Sequence, residues 1–142
     1  MLVDGSCKRN GNEQARGGVG VWFADGDSRN VSQRLPCAQL QTNQRAELTA
    51  ALVAIERVAP DVPLEVRSDS RYLVLGATNW LRAWQRRNWT TTAGGAVLNE
   101  DLWKQLSLQI ASRRIRFTWV RGHADDVGNQ AANRLATHAT RE

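Results

Sequence analysis

Three carboxylates in this sequence occupy positions where acids could take part in catalysis, and Asp4 is the first. It follows two apolar residues and precedes a glycine, which predicts the end of a short buried strand with the carboxylate where the chain turns. A carboxylate there loses hydration and becomes protonated unless a cation or hydrogen-bond donors keep it ionised. Because a lone Asp-Gly is also a common turn starter, the role of Asp4 depends on whether other acids reach the same place.

Glu47 and Asp69 are the other two acids. Glu47 is expected in the first turn of a helix that Thr42 or Asn43 caps and that runs to about Val58. A favourable interaction with the helix dipole would explain it equally. Asp69 follows a strand in which apolar and charged residues alternate, and capping the next helix would explain it about as well as catalysis.

The elements that must position these acids follow in the order three strands, a helix, a strand, a helical segment, a helix, a strand and a final helix. Short connections between the first three strands predict an antiparallel meander. Strand-helix-strand geometry favours a fourth strand parallel to the first, so Asp4 and Asp69 would emerge at neighbouring strand ends, where open α/β sheets bind ligands. The predicted segments after the first strand are strands over 19–23, 30–35 and 114–119, a strand from 64 that leads to Asp69, and helices over about 43–58, 79–87, 99–112 and 128–140.

Carboxylates that meet at one place repel each other and require cations. Mg²⁺ and Mn²⁺ are the hard ions that oxygen ligands suit. Two such ions, about 3.5 to 4 Å apart, can activate water and stabilise the leaving oxygen of a phosphodiester. A focus of acids in a chain whose basic residues outnumber its acids by 19 to 14 is typical of a nuclease.

The composition restricts the class of protein. With 142 residues, of which 42% are hydrophobic, we expect a single domain over 1–142. No stretch approaches the roughly 20 apolar residues of a membrane span, and Asp4 follows Met1 too closely for a secretory leader, so we expect a cytoplasmic protein. The two cysteines, Cys7 and Cys37, indicate neither a disulfide framework nor a zinc site.

Aromatic and basic residues alternate in one segment. Trp80, Trp84 and Trp89 lie within a stretch that also carries three arginines. Trp80 and Trp84 are one helical turn apart, which is typical of core packing. The arginines and the polar loop that follows favour contact with a nucleic-acid backbone, where stacking and phosphate contacts act together.

Spaced motifs run through the chain in the order Val3-Asp4-Gly5-Ser6-Cys7, Thr42-Asn43-Gln44-Arg45-Ala46-Glu47-Leu48, Ser68-Asp69-Ser70, Trp119-Val120-Arg121-Gly122-His123 and a final segment over 128–136. Together they resemble the successive signatures of type 1 ribonuclease H. The resemblance covers essentially the whole chain. It implies an α/β ribonuclease H-like fold, with a five-stranded mixed sheet of three antiparallel strands and then two parallel ones, flanked by helices. It also implies a two-metal endonuclease that cuts the RNA strand of RNA/DNA hybrids and leaves 5'-phosphate and 3'-hydroxyl ends.

The same resemblance implies roles for individual residues. Asp4, Glu47 and Asp69 match three of the family's four metal-binding acids. His123 matches a flexible-loop histidine that assists proton transfer or product release, although a solvent-exposed loop histidine would look the same. The positions that match substrate contacts are Cys7, Asn10, Asn43 and Gln44 for the RNA 2'-hydroxyl groups, Thr42 and Asn99 for a DNA phosphate, and Trp80, Trp84 and Trp89 for the substrate-handling protrusion.

Asn133 departs from the family pattern, which has an acid at this position. An amide keeps a carbonyl oxygen that can bind a hard cation but brings no charge, so weaker affinity for the second ion is expected. Asn133 is either a natural functional residue or an introduced change that traps substrate, or else Asp125 or Asp126 substitutes for it. We favour an active enzyme in which Asn133 belongs to an Asp-Glu-Asp-Asn catalytic and metal-binding set.

Two alternatives to this function remain open. A catalytically disabled ribonuclease H would bind hybrid without cutting it. An integrase or transposase core would share the superfamily, but the Gly122-His123 loop and the tryptophan-bearing protrusion argue against it. We expect a monomer whose partner is an RNA/DNA hybrid, without membrane association. Since no hybrid-binding domain precedes Met1, we also expect limited processivity.

Overall fold

The computed structural model describes residues 1–9, 13–122 and 126–141. The predictions for Asn10, His123 and Asp125 therefore fall outside the described residues. None of the helices within these ranges is both long and apolar enough to cross a membrane.

Five strands form one mixed sheet in the spatial order β3-β2-β1-β4-β5, with β1, β2 and β3 antiparallel and with β1, β4 and β5 parallel. This confirms the predicted fold class, a five-stranded α/β sheet flanked by helices. In chain order the elements are β1 (Leu2–Lys8), β2 (Arg16–Trp22), β3 (Val31–Arg34), α1 (Asn43–Glu56), β4 (Leu64–Ser68), α2 (Arg71–Leu75), a π-helical turn (Gly76–Trp80), α3 (Leu81–Arg86), α4 (Glu100–Ser112), β5 (Ile115–Trp119) and α5 (Val127–Ala139).

Two glycines allow helices to pack directly on the backbone of the sheet. A Cβ atom at Gly5 would lie 2.3 Å from the backbone nitrogen of Glu47 in α1. A Cβ atom at Gly20 would lie 2.2 Å from the carbonyl oxygen of Ala132 in α5. Gly20 pairs with Asp4, the residue that precedes Gly5 on β1. Since successive residues of a strand face opposite sides of the sheet, Gly5 and Gly20 also face opposite sides. Helices α1 and α5 therefore cover opposite faces at the centre of the molecule.

Two local predictions about the acids are wrong. β1 does not end at Asp4 but continues to Lys8, because residues 5–8 pair with residues 16–19 of β2 and Gly5 fits an extended strand under α1. Glu47 does not lie in the first turn of its helix, because Thr42 is the N-cap and α1 begins at Asn43. The helix-dipole explanation for Glu47 is thereby weakened, since that effect falls off within the first turn.

Candidate active site

The register of the parallel strands determines where two of the acids meet. Leu2 of β1 pairs with Arg67 of β4. Extending that register by two residues brings Asp4, in the middle of β1, level with Asp69, which directly follows β4. The expected meeting of Asp4 and Asp69 thus occurs, although only Asp69 lies at a strand end.

Asp4 is a buried carboxyl with two hydrogen-bond donors. Only 5% of the residue is exposed. Its Oδ2 accepts a bond of 2.8 Å from Nδ2 of Asn133 in α5, and its Oδ1 accepts one of 3.0 Å from the backbone nitrogen of Gly5. Burial and, to a lesser extent, the charge of Asp69 raise the pKa of Asp4 to about 6, although both hydrogen bonds act to lower it.

Glu47 approaches from the second turn of α1. The Ser70 hydroxyl, at the start of α2, donates a bond of 2.6 Å to Glu47 Oε2 and also accepts one of 3.1 Å from the backbone nitrogen of Leu73. Burial raises the pKa of Glu47 to about 7, and the charges of Asp4 and Asp69 add to this, whereas the bond from Ser70 opposes it. All three carboxylates therefore belong to one electrostatic cluster.

Asp69 has a neighbour to which the sequence analysis assigned no role. Asn129 of α5 lies one helical turn before Asn133, and its Nδ2 is 3.5 Å from Asp69 Oδ2. The Asn129 Oδ1 atom is buried and has no hydrogen-bond partner among the described residues. The spacing of four residues between the two asparagines was a signal in the sequence, because such residues share a helix face.

The chemistry of these side chains fits a hard divalent cation. The cluster offers three carboxylates and the amide oxygens of Asn133 and Asn129, all oxygen donors. A divalent cation would offset the burial and mutual repulsion that work against ionisation of the acids. Among the described residues, no three His, Cys, Asp or Glu side chains lie close enough together to hold a metal ion as they stand, so the three carboxylates are electrostatic neighbours and not a preformed metal site.

The family model for RNase H matches residues 1–141 of this chain. The chain belongs to the ribonuclease H family. Ribonuclease H of Methylorubrum extorquens is 42% identical over all of this chain and 60% of its own length. Ribonuclease H of Solibacter usitatus is 36% identical over all of this chain and 94% of its own length.

Among solved structures, that of LC9-RNase H1, described as a type 1 RNase H with the type 2 active-site motif, is 31% identical. It superimposes with a TM-score of 0.72 over 99% of this chain and 72% of that one. The chain spans only 60% and 53% of the length of the Methylorubrum extorquens and Schizosaccharomyces pombe relatives. The family match and the named relatives confirm the resemblance and support the predicted enzyme class.

The two residues that match the family's DNA-phosphate pocket are connected through Arg45. Thr42 Oγ1 accepts a bond of 3.2 Å from the backbone nitrogen of Arg45, and Asn99 Oδ1 accepts one of 3.2 Å from its Nη1. Two bonds to Asp101, of 2.9 and 2.7 Å, hold the same guanidinium. Asn99 Nδ2 donates to the Tyr72 hydroxyl at 3.0 Å.

Three of the residues that match ribonuclease H contacts to RNA, Cys7, Asn43 and Gln44, lie where β1 meets the start of α1. The Cys7 thiol donates to the carbonyl oxygen of Gln41 at 3.4 Å, and burial raises the pKa of this thiol. Asn43 and Gln44 are the first two residues of α1. The structure thus brings Cys7 near the first turn of that helix.

The tryptophans divide between core and surface. Trp84 packs on the fully buried Trp103 with ring centroids 5.3 Å apart, and Trp89 is also partly buried against the core. Trp80 lies 5.9 Å from Trp84 and is 38% exposed. Of the three rings, Trp80 is therefore the one most available to a ligand.

Arg71, to which the sequence analysis assigned no role, lies beside Asp69. Its guanidinium is 4.7 Å from the centre of the Trp119 ring. The Trp119 indole N–H donates to the carbonyl oxygen of Asp69 at 3.1 Å. The stacking thus holds the Arg71 cation close to the acid cluster. In the sequence, the signal for this was a basic residue two positions after Asp69.

Proposed function

We propose that this chain is a metal-dependent endonuclease that hydrolyses the RNA strand of RNA/DNA hybrids. The observation that carries this proposal is the convergence of Asp4, Glu47 and Asp69 from two parallel strands and a helix in a member of the ribonuclease H family. An acid cluster that requires cations, within a basic chain, suits a phosphodiester substrate.

Asp4, Glu47, Asp69 and Asn133 are the residues that would hold two Mg²⁺ or Mn²⁺ ions. When bound, such ions supply an activated water and stabilise charge on the leaving 3'-oxygen. The hydrogen bond from Asn133 orients Asp4, and the bond from Ser70 orients Glu47 and favours its ionised form. Asn133 turns its amide nitrogen to Asp4, so its oxygen is directed away from that carboxylate.

Substrate recognition is assigned to the polar groups around this cluster. Cys7, Asn43 and Gln44 would contact RNA 2'-hydroxyl groups, which distinguish RNA from DNA. Thr42 and Asn99 would bind a DNA phosphate. Both side chains accept hydrogen bonds from Arg45, which fixes their positions relative to each other. Trp80 would stack against the substrate. Asn10 and His123 remain predictions from the family pattern, as do a monomeric state and a cytoplasmic location.

The test is cleavage of a labelled RNA/DNA hybrid, with duplex DNA and duplex RNA as controls, each with and without divalent ions. We expect only the RNA strand of the hybrid to be cut, only with metal, and with 5'-phosphate products. Cleavage of all three substrates alike, or cleavage that persists in EDTA, would contradict the proposal.

The alternative function is a hybrid-binding protein without catalysis, and the observation that favours it is the uncharged Asn133 beside Asp4. Titrating Mg²⁺ and Mn²⁺ with the natural chain and with Asn133→Asp separates the two. An active enzyme should cut at raised metal concentration and need roughly 10-fold less metal after Asn133→Asp. No cutting by the natural chain at any metal concentration, with cutting by Asn133→Asp, would establish the alternative.

A further inference from the structure

A basic cleft lies where β1 leads towards β2 and where α5 ends. Its volume is about 790 Å³. We call it the hairpin cleft, and its charged lining residues are Lys8, Arg9, Arg16, Arg34 and Arg141, with the carboxylate of Glu13.

The cations of the hairpin cleft come from separate parts of the chain. Lys8 ends β1, Arg16 begins β2, Arg34 ends β3 and Arg141 follows α5. Lys8, Arg16 and Arg141 are exposed at its surface. Gathering like charges in this way disfavours the compact state, and a polyanion bound in the cleft would remove that cost.

The cleft lies at a defined distance from the acid cluster. Asp4 and Lys8 are four residues apart on the same strand, which corresponds to about 13 Å. Helix α5 also runs from the acid cluster towards the cleft, because Asn133 contacts Asp4 whereas Thr140 and Arg141 line the cleft. On a hybrid whose axis follows β1, this distance corresponds to about four nucleotides, since a strand advances about 3.4 Å per nucleotide along the axis.

The lining also indicates which part of a nucleic acid would be bound. Its long side chains are arginines and a lysine, which pair with phosphate oxygens, and among its described lining residues none is aromatic. Such a surface suits phosphate contacts, and its described lining offers no aromatic ring on which bases could stack.

We propose that the hairpin cleft binds phosphates of the hybrid backbone several nucleotides from the scissile linkage and extends the footprint beyond the acid cluster. This inference rests on the proposed function, since the bound polymer is its substrate.

The experiment compares two double variants that remove the same charge. Arg16→Gln with Arg141→Gln alters the cleft, and Arg114→Gln with Arg116→Gln alters exposed cations flanking and within β5, at the far edge of the sheet. Hybrid affinity is measured in EDTA, so that nothing is cut, at several salt concentrations. The hybrids are shortened one base pair at a time, from each end in turn. Thermal unfolding of both variants and of Arg141→Gln alone confirms that each is folded.

For the cleft variant we expect about 10-fold weaker binding of long hybrids and a slope of log affinity against log salt that is smaller by about 2. Shortening from one end should weaken binding by the natural chain but not by the cleft variant. With Mg²⁺, both variants should cut a hybrid too short to reach the cleft at the natural rate.

If the natural chain cuts hybrid but the two double variants have equal affinities and salt slopes, the proposal for the hairpin cleft is overturned and the proposed function is not. A natural chain that neither cuts nor binds hybrid would overturn the proposed function and this inference with it.

Discussion

At the scale of single residues, Asp4 couples the stability of the metal-free protein to pH. Its pKa is about 6 in the folded chain, above the ordinary 3.8, and that of Glu47 is about 7, above 4.5. Between about pH 4 and pH 7 the folded state therefore binds more protons than the unfolded state. The free energy of unfolding falls as the pH rises through this range, by up to about 3 kcal/mol for Asp4.

Asp4→Asn should stabilise the protein in EDTA at pH 8, because it removes a buried charge but keeps the shape of the side chain. We expect a smaller fall in the free energy of unfolding between pH 5 and pH 8 than in the natural chain, measured by urea denaturation. Asp61→Asn, at an exposed acid, is the control and should leave this fall unchanged. The same fall for Asp4→Asn and the natural chain would contradict the pKa argument.

Ser70 has two partners, so its substitution distinguishes a structural role from a role in the site. Ser70→Ala removes the bond to Glu47 and the cap on Leu73. We expect the Mg²⁺ concentration for half-maximal hybrid cleavage to rise roughly 10-fold, as for other groups that orient metal ligands. Ser70→Thr keeps a hydroxyl and should restore most of this. A loss of stability with an unchanged Mg²⁺ requirement would mean that Ser70 only caps α2.

At the scale of secondary structure, the placement of α1 matters most, because this helix carries Glu47 and begins beside Thr42. Its C-terminal end is held by Arg113, which follows α4. The Arg113 guanidinium donates to four carbonyl oxygens at 2.8 to 3.2 Å, those of Ile55, Val58, Ala59 and Val62. Of these four residues only Ile55 lies in α1, and the other three belong to the loop that follows it, so Arg113 ties this loop to the end of the helix.

Arg113→Ala should lower the free energy of unfolding by about 2 kcal/mol, because hydrogen bonds from a charged group contribute about 1.5 to 3 kcal/mol. Urea denaturation measures this. The neighbouring Arg114→Ala, at an exposed side chain, should change stability by less than about 0.5 kcal/mol. Equal effects of the two substitutions would show that the carbonyl contacts add nothing.

At the scale of the whole molecule, charge separates binding from catalysis. The chain carries a formal net charge of +5, yet three of its 14 acids meet at one cluster. Chelation of divalent ions should therefore stop cleavage while hybrid binding persists, and that binding should weaken as salt rises because phosphate contacts release counterions. Fluorescence anisotropy with a labelled hybrid measures both. A complex that is indifferent to salt, or that dissociates fully in EDTA at low salt, would contradict this view.

Much of the fold followed from local patterns. Alternating residues around Phe117 predicted β5, the Thr42 cap predicted the start of α1, and the order of the elements predicted that β4 is parallel to β1. The end of β1 was mispredicted, since Asp-Gly is ordinarily a turn signal. Here Gly5 is a strand residue because α1 leaves no room for a side chain.

A reader of the amino-acid sequence can identify the acids, their order along the chain, the elements that carry them and the departure at Asn133. Packing of distant segments is needed to place Asp4 level with Asp69, to add Asn129 to them, to hold the end of α1 with Arg113 and to gather cations from separate elements in one cleft. Sequence distance explains this division. Asn133 and Asp4 are 129 positions apart, so their hydrogen bond depends on sheet register and on how closely α5 packs against β1 and β2, and local periodicity encodes neither.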